Sequence, residues 1–145
     1  MTYGVAKEAT IYGARAVDCT GVGSTNGLLK IMDFIVNRQK KYGTGKSALV
    51  SMSVATEVHT STTLLDFAIK GVTDAGIVVV SAAGNQTDDS CKHRPASPLM
   101  DITVGVTDEN GKVPSFSNTG SCTSIFAPGV NIKSASHHCD NCTEN

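Results

Sequence analysis

The sequence predicts an α/β fold: part of a doubly wound parallel sheet, with helices above and below in three αβα layers. Three observations carry that prediction. Apolar runs of strand length alternate with amphipathic stretches of helix length, and strand–helix–strand order implies parallel strands joined by right-handed crossovers. The run Gly76-Ile77-Val78-Val79-Val80-Ser81-Ala82-Ala83-Gly84-Asn85 holds four β-branched residues in succession. With no polar alternation, it reads as a central strand buried on both faces. It ends in residues too small to fill space and then presents one amide, Asn85. Ligands of open α/β sheets bind beyond the carboxyl ends of the strands, which is where Asn85 is carried.

The elements follow in order. Ala9 to Val17 reads as a first strand. Gly21-Val22-Gly23 is a turn, and Ser24 or Thr25 caps the helix after it. In that helix Leu28, Ile31, Met32 and Ile35 form one apolar stripe. Arg38, Lys40 and Lys41 sit at its C-terminal end, where the dipole favours cations, and Gly43 stops it. Ala48 to Val54 is a second strand. Leu65, Ala68, Ile69 and Val72 repeat the helical stripe before Gly76 and the central strand. Gln86 to Leu99 is polar, with two prolines and a cysteine, and reads as a loop. Ile102 to Val106 is a strand, Ser121 to Phe126 a weaker one, and Ala127-Pro128-Gly129 a turn. Residues 136–145 read as a frayed tail.

Composition narrows the function classes. A chain of 145 residues can bury one real core. A formal charge of -1 without a basic cluster argues against a nucleic-acid partner. No apolar run approaches the ~20 residues that span a membrane, and Met1 to Lys7 lacks the apolar core of a signal peptide. Five cysteines point to an oxidising, extracellular or secretory compartment, and the odd count leaves one without a partner in the chain.

Several motifs are near misses. Gly43-Thr44-Gly45-Lys46-Ser47 ends like a phosphate-binding loop, but Lys40 stands where the first glycine belongs, and it follows a helix rather than a strand. Gly21-Val22-Gly23-Ser24-Thr25-Asn26 has the placement of a dinucleotide fingerprint, but Asn26 replaces its third glycine. A dinucleotide-binding oxidoreductase rests on that stretch alone. His137-His138-Cys139-Asp140-Asn141-Cys142 could be half of a zinc site completed by Cys91 and Cys122, with a short-range disulfide as the blander account. No metal site is assigned. His59 and His93 read as isolated surface residues. Asn85-Gln86-Thr87 and Asn141-Cys142-Thr143 have the form of glycosylation sequons; a recessed Asn85 is expected to stay unmodified.

Five segments in order resemble the subtilisin-like serine proteases (subtilases, peptidase S8), in their proteinase K-like branch. Gly4-Val5-Ala6-Lys7 with Ala14-Arg15-Ala16-Val17-Asp18 is similar to the family's strand entry, and Val79 to Asn85 to its oxyanion segment. Ser97-Pro98, Thr103-Val104-Gly105-Val106, Ser115-Phe116-Ser117-Asn118 and Phe126-Ala127-Pro128-Gly129 follow its later succession. The resemblance covers about residues 3 to 135. It implies a serine endopeptidase working through a Ser-His-Asp triad and an acyl-enzyme. It makes Asn85 the side-chain donor of the oxyanion hole. Ala82, Ala83 and Gly84 become one wall of the substrate cleft, and Ser53, Val54 and Ala55 the other, pairing with an extended peptide or protein substrate by strand addition.

The same resemblance makes residues 1–145 a partial catalytic domain, the segment between the catalytic His and the catalytic Ser. The chain alone is then expected to be inactive, and a protease-derived peptide-binding module or pseudoenzyme is the rival reading. Ala55 and Thr56 stand where the family usually has glycines. Ser124 stands where the branch has a calcium-binding aspartate, so no cofactor is expected and that calcium site is not carried over. Family topology sets the loop after Asn85 beside the strand ending at Phe126, which pairs Cys91 with Cys122. Cys139 and Cys142 are left to each other, and Cys19 is expected to pair upstream of Met1.

Overall fold

The structure, a computed structural model, describes residues 4–43, 45–58, 63–96, 101–135 and 143–144. Its centre is a four-stranded, all-parallel sheet of β1 (Leu49–Met52), β3 (Val78–Ala82), β5 (Ile102–Thr107) and β6 (Ile125–Pro128), in the order β1-β3-β5-β6. Two helices, α1 (Thr25–Tyr42) and α2 (Thr63–Asp74), alternate with the first strands. A two-residue strand β2 (Thr56–Glu57) pairs antiparallel with β4 (His93–Arg94). Another, β7 (Ser134–Ala135), pairs antiparallel with β8 (Thr143–Glu144), so the described part of the tail at 136–145 is a paired strand.

The core follows from the side-chain periods. Leu65, Ile69 and Val72 on α2, Met32 on α1, and Ile77 and Val79 at the central strand are buried together. Leu28, Leu29, Ile35 and Val36 of α1 pack against that cluster. The working stripe of α1 is thus turned by about one residue from the sequence expectation: Leu29 and Val36 join it, and Ile31 is not among the residues packed on the cluster. Ser24 caps α1, its Oγ accepting from Gly27 N at 3.1 Å, and Gly76 ends α2 at φ +77°. Both helices pack on one face of the sheet. On the other face Leu49, Val78, Ile102 and Ile125 are 60%, 46%, 44% and 55% exposed, and no described element covers them.

Several sequence expectations are corrected, among them burial of the central strand on both faces, since Val78 faces outward with no described element over it. Ala9 to Val17 is not a strand of the sheet; its one described pairing is an isolated bridge from Val17 to Gly23. Among the described residues the stretch has no sheet neighbour for its backbone, and Tyr12 instead lies under the Arg38 guanidinium, 4.2 Å from the ring centroid. Strand β6 starts four residues later than expected and runs through Ala127 and Pro128, the proposed turn. Pairing with β5 decides this, because Val106 and Thr107 lie opposite Ala127 and Pro128. The loop at 86–99 contains a short 3-10 helix (Ser90–Lys92) and β4. His93 within it is buried, not at the surface.

The two glycine-rich stretches are turns. Gly21 adopts φ +80°, and Gly23 approaches the Ala16 carbonyl so closely that a Cβ there would lie 2.5 Å from its oxygen. With no sheet strand before it, the dinucleotide reading loses its scaffold. At 43–47 the described residues link α1 to β1, with Lys46 N donating to Gly43 O at 3.1 Å.

Candidate active site

The parallel register puts the two expected cleft walls side by side. Met52 lies opposite Ser81, so Ser53-Val54-Ala55 and Ala82-Ala83-Gly84 leave the carboxyl ends of adjacent strands. Ala83 is buried and tied to the sheet by its N–H to Val104 O at 2.9 Å; Ala82 is half-buried on the uncovered face. Ser53 and Ala55 are exposed and Val54 is half-buried. The first wall then continues into β2, where Thr56 and Glu57 pair with Arg94 and His93.

Asn85 stands past the end of β3, exposed, and no described residue hydrogen-bonds its side chain. Its flanks are tightly held. Gly84 adopts φ +102°, a conformation that L side chains rarely take. Next to it lies Asn118, 0% exposed. Asn118 Nδ2 donates to Ala83 O at 3.0 Å and to Gln86 Oε1 at 2.8 Å, and its Oδ1 accepts from Gln86 N at 2.8 Å and Asp88 N at 3.0 Å. Asn118 N donates to Gly84 O at 2.9 Å. Thr87 N to Phe116 O, Thr119 N to Asp88 O and Ser90 N to Thr119 O, at 3.1, 3.1 and 2.7 Å, continue the seam.

The loop after Asn85 has further anchors. Cys91 and Cys122 form a disulfide, their Cα atoms 5.1 Å apart. Arg94 reaches Asp66 on α2, Nε to Oδ1 at 2.7 Å, while its Nη1 donates to the carbonyls of Cys91, His93 and Ala96, each at 3.2 Å. The Lys92 ammonium, 2.8 Å from Asp88 Oδ1, and then the Asp89 N–H hold the Asp88 carboxyl below the usual aspartate range; Asp88 in turn raises Lys92. His93 places Nε2 3.5 Å from Asp88 Oδ2.

Other sequence candidates lie apart. Cys19 is an exposed free thiol, 3.7 Å from Arg15 Nη2. Ser124 Oγ accepts from Thr103 N at 3.1 Å, spending it on the sheet. Among the described residues no three His, Cys, Asp or Glu side chains gather as a metal site. Likewise, no helix among them is long and apolar enough to cross a membrane. His59, Ser97-Pro98, Cys139, Asn141 and Cys142 lie outside the described residues.

A family profile described as Subtilase family matches residues 2–145. The chain belongs to the subtilase family. It is 39% identical over 134 residues to the "Extracellular serine proteinase" of Thermus sp. (strain Rt41A), covering 92% of this chain and 31% of that one. To "Proteinase T" of Parengyodontium album it is 35% identical over 133 residues, covering 92% and 44%. A solved structure, "Crystal structure of a cold adapted subtilisin-like serine proteinase", superposes with a TM-score of 0.79 at 37% identity, covering 92% of this chain and 46% of that chain. This subtilase chain thus spans about a third to a half of those relatives. The likeness to the solved structure extends to the parallel α/β architecture expected from sequence.

Sequence reasoning singled out Asn85 and the two stretches beside it, but not the residues that hold them. Asn118 appeared only within Ser115-Phe116-Ser117-Asn118, one of the segments that carry the family resemblance, and the Asp66–Arg94 pair gave no signal at all. A buried loop amide differs in no way, as a letter, from a solvated one.

Proposed function

We propose that this subtilase chain is the segment of a serine endopeptidase domain lying between the catalytic His and the catalytic Ser. It supplies the oxyanion donor and the substrate cleft. The supporting observation is the exposed Asn85 side chain, unbonded to any described residue, on a loop clamped at both flanks beyond the central strand. An amide N–H held there donates to the negative oxygen that develops as a nucleophile adds to the scissile carbonyl. A fixed donor aimed at that oxygen stabilises the transition state without reorganising. Ser53–Ala55 and Ala82–Gly84 form the walls, and an extended peptide lies between them by strand addition. The added Cβ atoms of Ala55 and Thr56 narrow that cleft. The Cys91–Cys122 disulfide, and the naming of one relative as an extracellular proteinase, support a secreted protein.

The test is Asn85→Ala in the catalytically complete protein. The expected result is a fall in kcat of about 10²–10³ with KM little changed; that magnitude is the one established for such a donor in a subtilisin, taken over rather than worked out from this geometry. An unchanged kcat overturns the oxyanion role. The 145-residue chain alone is expected not to cleave peptide anilides, and inhibitor-sensitive cleavage by it would mean a nucleophile lies within the chain. A complete protein that binds an extended peptide but never turns it over would be the binding module instead.

A further inference from the structure

We propose that Asn118 is a positioning residue for Asn85: it fixes the backbone on both sides of the oxyanion donor while leaving the donor's own side chain free. The proposal rests on the oxyanion reading of Asn85. Its physical content is a matched inventory. A side-chain amide carries two N–H donors and two acceptor lone pairs. In Asn118 all four are used, and every partner belongs to the loop that carries Asn85: Ala83 O, Gln86 Oε1, Gln86 N and Asp88 N. Its backbone N–H takes Gly84 O as well. Residues 83, 84, 86 and 88 are therefore held by Asn118, and Thr87 N by Phe116 O, while Asn85 between them is untouched by it.

The network also fixes which way the amide faces. Turned over, Nδ2 would oppose the N–H groups of Gln86 and Asp88. Aspartate lacks the donors, serine is too short for four partners, and leucine would bury the loop's backbone groups unpaired. Asn118 is itself anchored to the sheet. Ser117 Oγ accepts from Val106 N on β5 at 3.2 Å and donates to Asn118 O at 3.1 Å. Gly84 completes the arrangement, because a Cβ there would stand 2.5 Å from Asn118 Nδ2. The donor is thus hung from β5 as well as from the end of its own strand.

A double-mutant cycle on kcat tests this in the catalytically complete protein. Asn118→Ser is expected to lower kcat by about tenfold or more with KM within about twofold, and to change kcat by less than about twofold once Asn85→Ala is present. Gln86 is exposed, so Gln86→Ala folds even if Asn118→Ser does not; it removes one Nδ2 partner and is expected to give a smaller loss that also vanishes in the Asn85→Ala background. Equal losses in both backgrounds, or no loss, overturn the positioning role. An Asn85→Ala variant with normal kcat instead overturns the underlying reading. Amide exchange in the chain itself gives a readout independent of turnover. In Asn118→Ser the Gln86 and Asp88 amides are expected to exchange at least about tenfold faster while Val80 and Val104 keep their protection. Unchanged exchange at Gln86 and Asp88, or equal loss everywhere, counts against it.

Discussion

Replacing Gly84 by alanine is expected to destabilise the chain far more than replacing Gly105, although both additions meet equally close neighbours. At Gly84 the ideal Cβ lies 2.5 Å from Asn118 Nδ2 and 2.5 Å from Gln86 Oε1; at Gly105 it lies 2.5 Å from Phe126 Cε1 and 2.6 Å from Cδ1. What differs is who can move. Gly84 sits at φ +102°, where a residue with a Cβ carries about 1–3 kcal/mol of strain. Asn118 is fully buried and bonded through all its polar atoms, so displacing it leaves buried groups unpaired at roughly 1–3 kcal/mol. Together these come to about 2–6 kcal/mol. Gly105 has an ordinary φ, and the Phe126 ring is 39% exposed and can swing outward. Losing a strand glycine returns about 0.5–1 kcal/mol of backbone entropy, so the net change there is within about 1 kcal/mol. Urea unfolding followed by circular dichroism separates the two. With a slope of about 2 kcal/mol per molar, Gly84→Ala lowers the midpoint by about 1–3 M and Gly105→Ala barely moves it. Equal shifts, or an unmoved Gly84→Ala, would refute the claim that Asn118 is immobile.

Acid should loosen the loop after Asn85. The folded pKa of Asp88 lies below its unfolded value, so its contribution is present above the ordinary aspartate range and lost as pH falls through the depressed value; Asp18, held low by the Thr20 hydroxyl, behaves alike. Lys92 is raised, so its share is lost at the alkaline end, as pH rises through the raised value. Urea midpoints against pH should therefore fall at both ends, and Asp88→Asn should flatten the acid limb. The Cys91–Cys122 bond spans 31 positions, for which loop-closure entropy gives roughly 3–4 kcal/mol, so oxidised and reduced chains should differ clearly in midpoint, and coincident curves would reject this. The open sheet face at Leu49, Val78, Ile102 and Ile125 should bind ANS, and Val78→Lys should weaken that binding without altering the far-UV spectrum.

The parts legible in the sequence were those governed by side-chain period. Ile77 to Val80 declared a central strand, and Leu65, Ile69 and Val72 declared the helix face that covers it. The parts misread depend on partners remote in sequence. Ala9 to Val17 has strand composition, yet no described sheet edge accepts it, and Tyr12 is taken by Arg38. Pro128 signals a turn by itself but can end a strand whose other edge pairs with no described strand, since its missing N–H then costs no ladder bond there. Asn85 stood out because a lone amide after two alanines and a glycine at the end of an apolar strand is conspicuous. Asn118 was not, because its four partners lie some thirty positions upstream.

The loop from Gln86 to Ala96 joins the two halves of the candidate site. Near its start, Asn118 takes the N–H groups of Gln86 and Asp88, which sets Asn85. Towards its end, His93 and Arg94 pair with Glu57 and Thr56, which sets the segment following Ser53–Ala55. Between them Cys91 is bonded to Cys122, and Arg94 is tied to Asp66 on α2. The separation of the two proposed walls is therefore set twice, once by the β1–β3 ladder below and once by this strap above. A ladder alone would fix where the walls begin but not how far they splay past the last paired residue. The strap supplies that second constraint, and cutting the disulfide removes one of its middle anchors. Loosening should then reach Asn85 and the Ser53–Ala55 wall together, a joint response that two independently held walls would not give.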